Sequence, residues 1–211
     1  MHWRHLAASA IYEETVKKSR FVARLIPARD PAEAKTAIEG ARRAEYGARH
    51  HATAQIIGPD GAYQRSNDDA EPPGTAGLPM LEVLRREKVT DAVAIVSRHF
   101  GGVLLGKAGL MRAYAGAVAG GVAVARFNVN VEHAVFALEV PAAEAGRANH
   151  LLRAFAASTA GTSVDAVYGE SARFEVVLPV AAAASFAEFA GSARLLAGVR
   201  RAGTRLVTMA E

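Results

Sequence analysis

The chain has 211 residues, 51% of them hydrophobic, and a net charge of +4, enough apolar content for a sizeable core in one large or two small domains. It contains no cysteine, which excludes disulfides, thiolate zinc sites and cysteine nucleophiles. No apolar run reaches bilayer-crossing length and the opening MHWRHLAASAIYEET lacks a secretory stretch, so the expectation is a soluble, cytoplasmic protein with no membrane partner.

FVARLIPA, residues 21–28, reads as the first clear strand. Asp30-Pro31 then open a helix, with Asp30 accepting from orphan amides and Glu33 completing a capping-box pattern. Ala34, Ala37, Ile38 and Ala41 give that helix a small apolar stripe. TAQIIG is a second strand, GPDG a turn, and AYQRS a short third strand. LPMLEVLRREK follows as a helix with Leu81 and Leu84 inward, and AVAIVSRHF as the next strand. A glycine loop leads into the small-residue helix LMRAYAGAVAGGVAVA.

The remainder has a rhythm of its own. HAVFALEVP is a strand, and Pro141 starts a helix with Leu151, Leu152 and Phe155 inward. TSVDAVYG and SARFEVVLP are two more strands. VAAAASFAEFAGSARLLAG is a helix with Phe186, Phe189, Ala193 and Leu196 on one face, and RAGTRLVTMA is the closing strand. The order βαββαβ is that of a ferredoxin-like sandwich. The expected fold is therefore α+β with two two-layer α/β sandwiches, residues 1–127 and 128–211, joined near RFNVN.

Charge separates the same two parts. Residues 1–126 hold 18 Lys/Arg against 13 Asp/Glu and five of the seven histidines, whereas residues 127–211 hold 7 against 8. A polyanionic partner should meet the first part.

Two constellations there invite chemistry. FGGVLLGKAGLMR places Gly101 and Gly106-Lys107 at the spacing of a phosphate-binding loop. Ala108 supplies no hydroxyl for magnesium, however, and Val103, Leu104 and Leu105 prefer burial to exposing a cradle of amides. A close backbone approach explains the glycines better, leaving Arg98, Lys107 and Arg112 as candidate phosphate contacts. In SNDDAEPPGTAGLPML, Asp68, Asp69 and Glu71 are candidates to gather a hard cation, with His50, His51 or His99 as acid or base. The same carboxylates also suit a helix N-terminus with no chemistry at all.

Ser19-Arg20-Phe21, His50-His51, SNDDAEPPGTAGLPML and SRHFGGVLLGKAGLMRAY occur in an order and at intervals that resemble the YigZ/IMPACT family, over roughly residues 15–205. The resemblance implies a first domain like the second domain of a small-subunit ribosomal protein and domain IV of elongation factor G. It implies a second domain like that factor's ferredoxin-like domain V. The leading expectation is an RNA- or ribosome-associated protein acting in translation regulation without a cofactor. Anion-binding residues would be Arg20, His50, His51, Thr75, Arg98, His99, Gly101, Gly102, Lys107 and Arg112. Alternatives are a metal-assisted hydrolase using Asp68, Asp69, Glu71 and His50, and a module docking another protein; no signal for sequence-specific DNA reading is present. The chain departs from the family pattern at Ala70, where glycine is usual, at His99 for tyrosine, at Leu104 for lysine and at Ala108 for glycine. The loss of two glycines argues against a backbone that tolerates only glycine there.

Overall fold

The structure, a computed structural model, describes residues 3–193, 195 and 198–210. The chain divides into two compact units, one holding Met1–Val129 with Met209–Glu211 and the other Asn130–Thr208.

In the first unit, β1 (Arg4–Leu6) and β6 (Val89–Thr90) pair in parallel, and β1 also meets the first residues of β8 (Phe127–Pro141). The principal sheet is antiparallel, in the order β2 (Ala10–Val16), β3 (Ser19–Pro27), β7 (Ala92–His99), β4 (His50–Ile57), β5 (Tyr63–Asn67). Strand β3 begins two residues earlier than FVARLIPA suggests, and β2 precedes it as a hairpin partner. The central strands are apolar on both faces, as a sheet covered on both sides requires. Phe21, Ala23, Leu25, Ala94 and Val96 join α2 (Gly77–Arg86) and α3 (Lys107–Val124) in one core. Val93 and Ile95 point the other way, to α1 (Pro31–Ala44). The α+β class stands, and this unit has helices on both faces of its sheet rather than on one.

Helix α1 starts as its cap residues dictate. Asp30 Oδ1 accepts from the amides of Ala32 and Glu33 at 2.8 Å, while Glu33 Oε2 accepts from the Arg29 amide at 2.8 Å. Such a cap contributes about 1 kcal/mol. Ala34 and Ala41 are buried, with Ala37 and Ile38 packed beside them.

The second unit has β8, α4 (Ala145–Ser158), β9 (Ser163–Tyr168), β10 (Ser171–Pro179), α5 (Ala183–Ser192) and β11 (Val199–Ala210). Its strands run β11-β8-β10-β9, the split βαβ order of a ferredoxin-like sandwich. Leu152 and Phe186 are buried against Phe174, with Leu151, Phe155 and Phe189 packed on that core. A 3₁₀ turn, Ala142–Glu144, intervenes between Pro141 and α4. The expectation for Leu196 lies outside the described residues.

Candidate functional site

The sequence motifs meet in the first unit, but around a buried network. Arg98, at the end of β7, has its guanidinium between the rings of Phe21 and Phe100, 5.6 and 5.4 Å from their centroids. Its Nη1 donates to Glu71 Oε1 at 2.7 Å, and the Tyr114 hydroxyl donates to the same oxygen at 2.8 Å. Arg98 is 5% exposed and Glu71 7%. Burial and the neighbouring carboxylate push the Tyr114 hydroxyl far above its ordinary range. Arg98 is therefore no phosphate contact: its charge is neutralised inside the fold. Thr75 is likewise buried, its hydroxyl donating to the Pro72 carbonyl at 2.6 Å, and contacts nothing from outside.

The three loop carboxylates diverge instead of converging. Asp68 takes the amides of Gly74, Ala76 and Gly77 at 2.8–2.9 Å and so caps α2, which has no side-chain cap of its own. Burial works to raise its pKa, but these three amides outweigh it and the carboxyl titrates below its ordinary range. Asp69 accepts from Arg42 Nη2 at 2.6 Å and from the His51 amide at 2.7 Å. Burial opposes these donors and loses, so this carboxyl too is held low. Glu71 faces Arg98 and Tyr114, and His50 Nδ1 donates to the Asp69 carbonyl at 2.9 Å. Among the described residues no three His, Asp or Glu side chains are placed to hold a metal ion. The metal-assisted alternative fails because each carboxylate is spent on a different donor set.

The loop geometry also corrects the reading of the glycine replacements. Ala70 has φ +66°, and Asp69 before it φ +48°, both in the left-handed region. The backbone keeps the conformation that glycine favours even though alanine occupies it, at about 1–2 kcal/mol. Ala70→Gly should therefore raise stability by about 0.5–1 kcal/mol once the extra freedom of glycine in the unfolded chain is subtracted. An unchanged or lower midpoint in urea unfolding would show that the turn is not strained.

The glycine loop serves packing. Gly101 lies against the backbone of Lys18 and its amide donates to Ser19 Oγ at 3.2 Å, while Gly102 has φ +83°. Of the apolar spacers only Leu105 enters the core; Leu104 is 81% exposed, contrary to the burial expected for it. Lys107 and Arg112 are exposed on α3.

The remaining candidates occupy the opposite face, beside α1. His99 Nε2 donates to Glu45 Oε2 at 2.9 Å, and Arg20 and Arg24 donate to Glu45 at 2.9 and 2.8 Å. Burial works to raise Glu45, but His99, Arg24 and the Arg20 charge outweigh it and keep it ionised. The expected anion set is thus divided: Arg20, His51 and His99 lie on the α1 face, Lys107 and Arg112 are exposed on α3, Arg98 and Thr75 are buried, His50 is held by the Asp69 carbonyl, and Gly101 and Gly102 form the turn after β7.

On the α1 face the structure brings the candidate His51 together with residues that carry no sequence motif. Helix α1 packs over β7, β4 and β3, and a groove of about 370 Å³ lies between its flank and the outer strands β4 and β5. Its floor is polar: His51, Thr53 and Gln55 alternate along β4, and Tyr63, Arg65 and Asn67 alternate along β5. Lys35, Ile38 and Arg42, at helical spacing on α1, form the wall. His51 Nδ1 lies 2.8 Å from Ser97 Oγ, fixing the ring. Burial, with the Arg42 charge second, pushes this imidazole below its ordinary value of 6.5, so the ring is neutral at pH 7. Among the described residues, Lys35 and Arg65 have no carboxylate partner. The signal in the sequence was the period of two in HHATAQII and YQRSN, which places polar side chains on one face of two paired strands.

The family model for the Impact N-terminal domain matches residues 17–122, half of the chain. The chain belongs to the IMPACT family. It is 41% identical over 111 residues to the IMPACT family member YvyE of Bacillus subtilis (strain 168), an alignment covering 53% of this chain and 51% of that one. It is 42% identical over 118 residues to the IMPACT family member YigZ of Escherichia coli (strain K12), covering 55% and 58%. The aligned part thus spans little more than half the length of these relatives. A solved structure described as a hypothetical protein matches 95% of this chain and 96% of its own, with a TM-score of 0.59 and 30% identity. In this IMPACT family chain the matched region contains both the buried network and the groove. No helix among the described residues is long and apolar enough to cross a membrane.

Proposed function

We propose that this IMPACT family protein binds RNA through the α1 face of its first unit, in the service of translation. The observation that supports this reading is the groove: a polar strand platform whose rim carries Lys35 and Arg65, two exposed cations with no carboxylate partner among the described residues. Two cations beside buried hydrogen-bonding groups and a tyrosine suit single-strand recognition, in which phosphates give affinity and side chains contact splayed bases. The +5 bias of residues 1–126 draws a polyanion to this unit.

The test is the salt dependence of oligoribonucleotide binding. Each phosphate contact on a single strand contributes about 0.7 to the slope of log K against log salt, so Lys35→Gln with Arg65→Gln should lower the slope by about 1.4 and weaken binding about 15-fold near 0.15 M salt. The paired change Lys107→Gln with Arg112→Gln lies on the opposite side and should leave the slope unchanged. A larger loss from the second pair would move the surface to α3, and no RNA binding by the unaltered protein would end the proposal.

A further inference from the structure

The groove floor has a feature that backbone binding does not use. On this face of the sheet Ile57, Val93 and Ile95 pack under α1, and the polar Arg20, Arg24, Ser97 and His99 each have a hydrogen-bond partner. Along the groove beside α1, β4 buries His51, Thr53 and Gln55 in succession. Burying polar side chains is unfavourable unless they find partners. Gln55 is 7% exposed, yet its Oε1 has no hydrogen-bond partner among the described residues. Such an orphan costs about 1–3 kcal/mol, a loss that a ligand's N–H or O–H can recover. Directly across the strand pair lie Arg65 opposite Gln55, Asn67 opposite Thr53, and Tyr63 opposite Ile57.

Three chemistries therefore stand side by side. Gln55, Thr53 and Asn67 provide amide and hydroxyl groups on the floor. Tyr63, 38% exposed, provides a ring at one end. Lys35 and Arg65 provide charge at the rim. From Gln55 to His51 the strand advances about 13 Å, the scale of one base with its ribose and phosphate. A volume of about 370 Å³ lies at the lower end of ligand pockets of about 300–1,000 Å³, enough for one nucleotide and too little for two bases.

We infer that the groove is a single-nucleotide subsite, in which the Gln55 amide and Thr53 hydroxyl meet the edge of one unstacked base while Lys35 and Arg65 hold its phosphate. The inference rests on the RNA-binding reading and adds to it a place where a base, not only the backbone, is held. It also explains why a strand otherwise built of alanine and isoleucine carries three buried polar residues.

Calorimetric titration of the full chain with AMP, UMP, inorganic phosphate and a short oligouridylate tests it, together with the variants Gln55→Leu and Thr53→Val. The mononucleotides should bind about tenfold or more tightly than phosphate, and Gln55→Leu should weaken mononucleotide and oligouridylate binding by about tenfold, the equivalent of one recovered hydrogen bond. Its melting temperature should hold or rise, because the leucine removes an unpaired buried acceptor. That combination separates a ligand contact from a structural role. Unchanged nucleotide affinity in both variants overturns the subsite while leaving the charged rim in place. Equal affinity for phosphate and mononucleotide overturns base contact. Binding of AMP or UMP without binding of oligouridylate supports the subsite, assigns it to free nucleotides and removes the RNA reading.

Discussion

Glu71→Ala is expected to destabilise the first unit by about 3–5 kcal/mol, without abolishing RNA binding by the protein that remains folded. The carboxylate accepts from both the Arg98 guanidinium, at 2.7 Å, and the Tyr114 hydroxyl, at 2.8 Å, and Arg98 has besides it only a long 3.5 Å bond to Ser19 Oγ among the described residues. Two aromatic rings flank the guanidinium and shield it from water. Removing the carboxylate leaves a buried cation with no counter-charge, the kind of loss that costs about 3–5 kcal/mol. Against a total stability of about 5–15 kcal/mol this is a large fraction, and it should lower the melting temperature by roughly 10–20 °C. Tyr114→Phe keeps the ion pair and should cost only about 1–2 kcal/mol. The double change Glu71→Leu with Arg98→Met removes both charges together and should be milder than Glu71→Ala alone. A Glu71→Ala protein within about 1 kcal/mol of the original would mean that water reaches Arg98, which would then rejoin the exposed cations as a phosphate contact.

That network shows how far the sequence could be read. The strands and helices with a clean period were legible: the α1 cap at Asp30, the inward Leu81 and Leu84, and the βαββαβ order of the second unit all follow from local pattern. The β2–β3 hairpin was not, because its turn residues are Lys17 and Lys18, with φ +46° and +68°. Left-handed lysines replace the Asn-Gly signature by which such a turn is recognised. Arg98 was selected as a surface cation for a similar reason. An arginine at a strand end reads as solvated, and only the chain crossing that brings Glu71 from a loop 27 positions away reveals it as buried.

The groove was missed for the opposite reason. Its residues are individually ordinary: a threonine, a glutamine and an arginine on short strands carry no motif. Their meaning arises from the register that sets Gln55 across from Arg65 and Thr53 across from Asn67, and from the groove that the flank of α1 forms beside them. The motif-rich segments build the scaffold, and the unremarkable ones line its open face. This division is physically sensible, since a buried ion pair fixes where β7 and the α2 loop meet, and a rigid sheet then holds the polar platform in place.

Gly101→Ala is expected to be the most damaging change in the glycine loop, at about 3 kcal/mol or more. Gly101 follows β7 and lies over the hairpin between β2 and β3, where an added Cβ would overlap the Lys18 carbonyl group and stand 2.6 Å from the Ser19 amide nitrogen. Both obstacles are backbone, so no rotamer change relieves them. The hairpin must shift, and with it the bond from the Gly101 amide to Ser19 Oγ. Overpacking in a tight site costs about 1–3 kcal/mol even where side chains can yield, and here none can. Gly102→Ala makes a useful contrast. Its Cβ would meet nothing within 4 Å, but φ is +83°, so the cost should be confined to backbone strain of about 1–2 kcal/mol. Urea unfolding should therefore order the variants with Gly101→Ala well below Gly102→Ala, and hydrogen exchange should locate the added opening in the β2–β3 hairpin. Equal destabilisation of the two would show that close approach does not govern the loop. Loss of RNA binding in a stable Gly101→Ala protein would restore the glycine loop as an anion contact and shift the proposed surface away from α1.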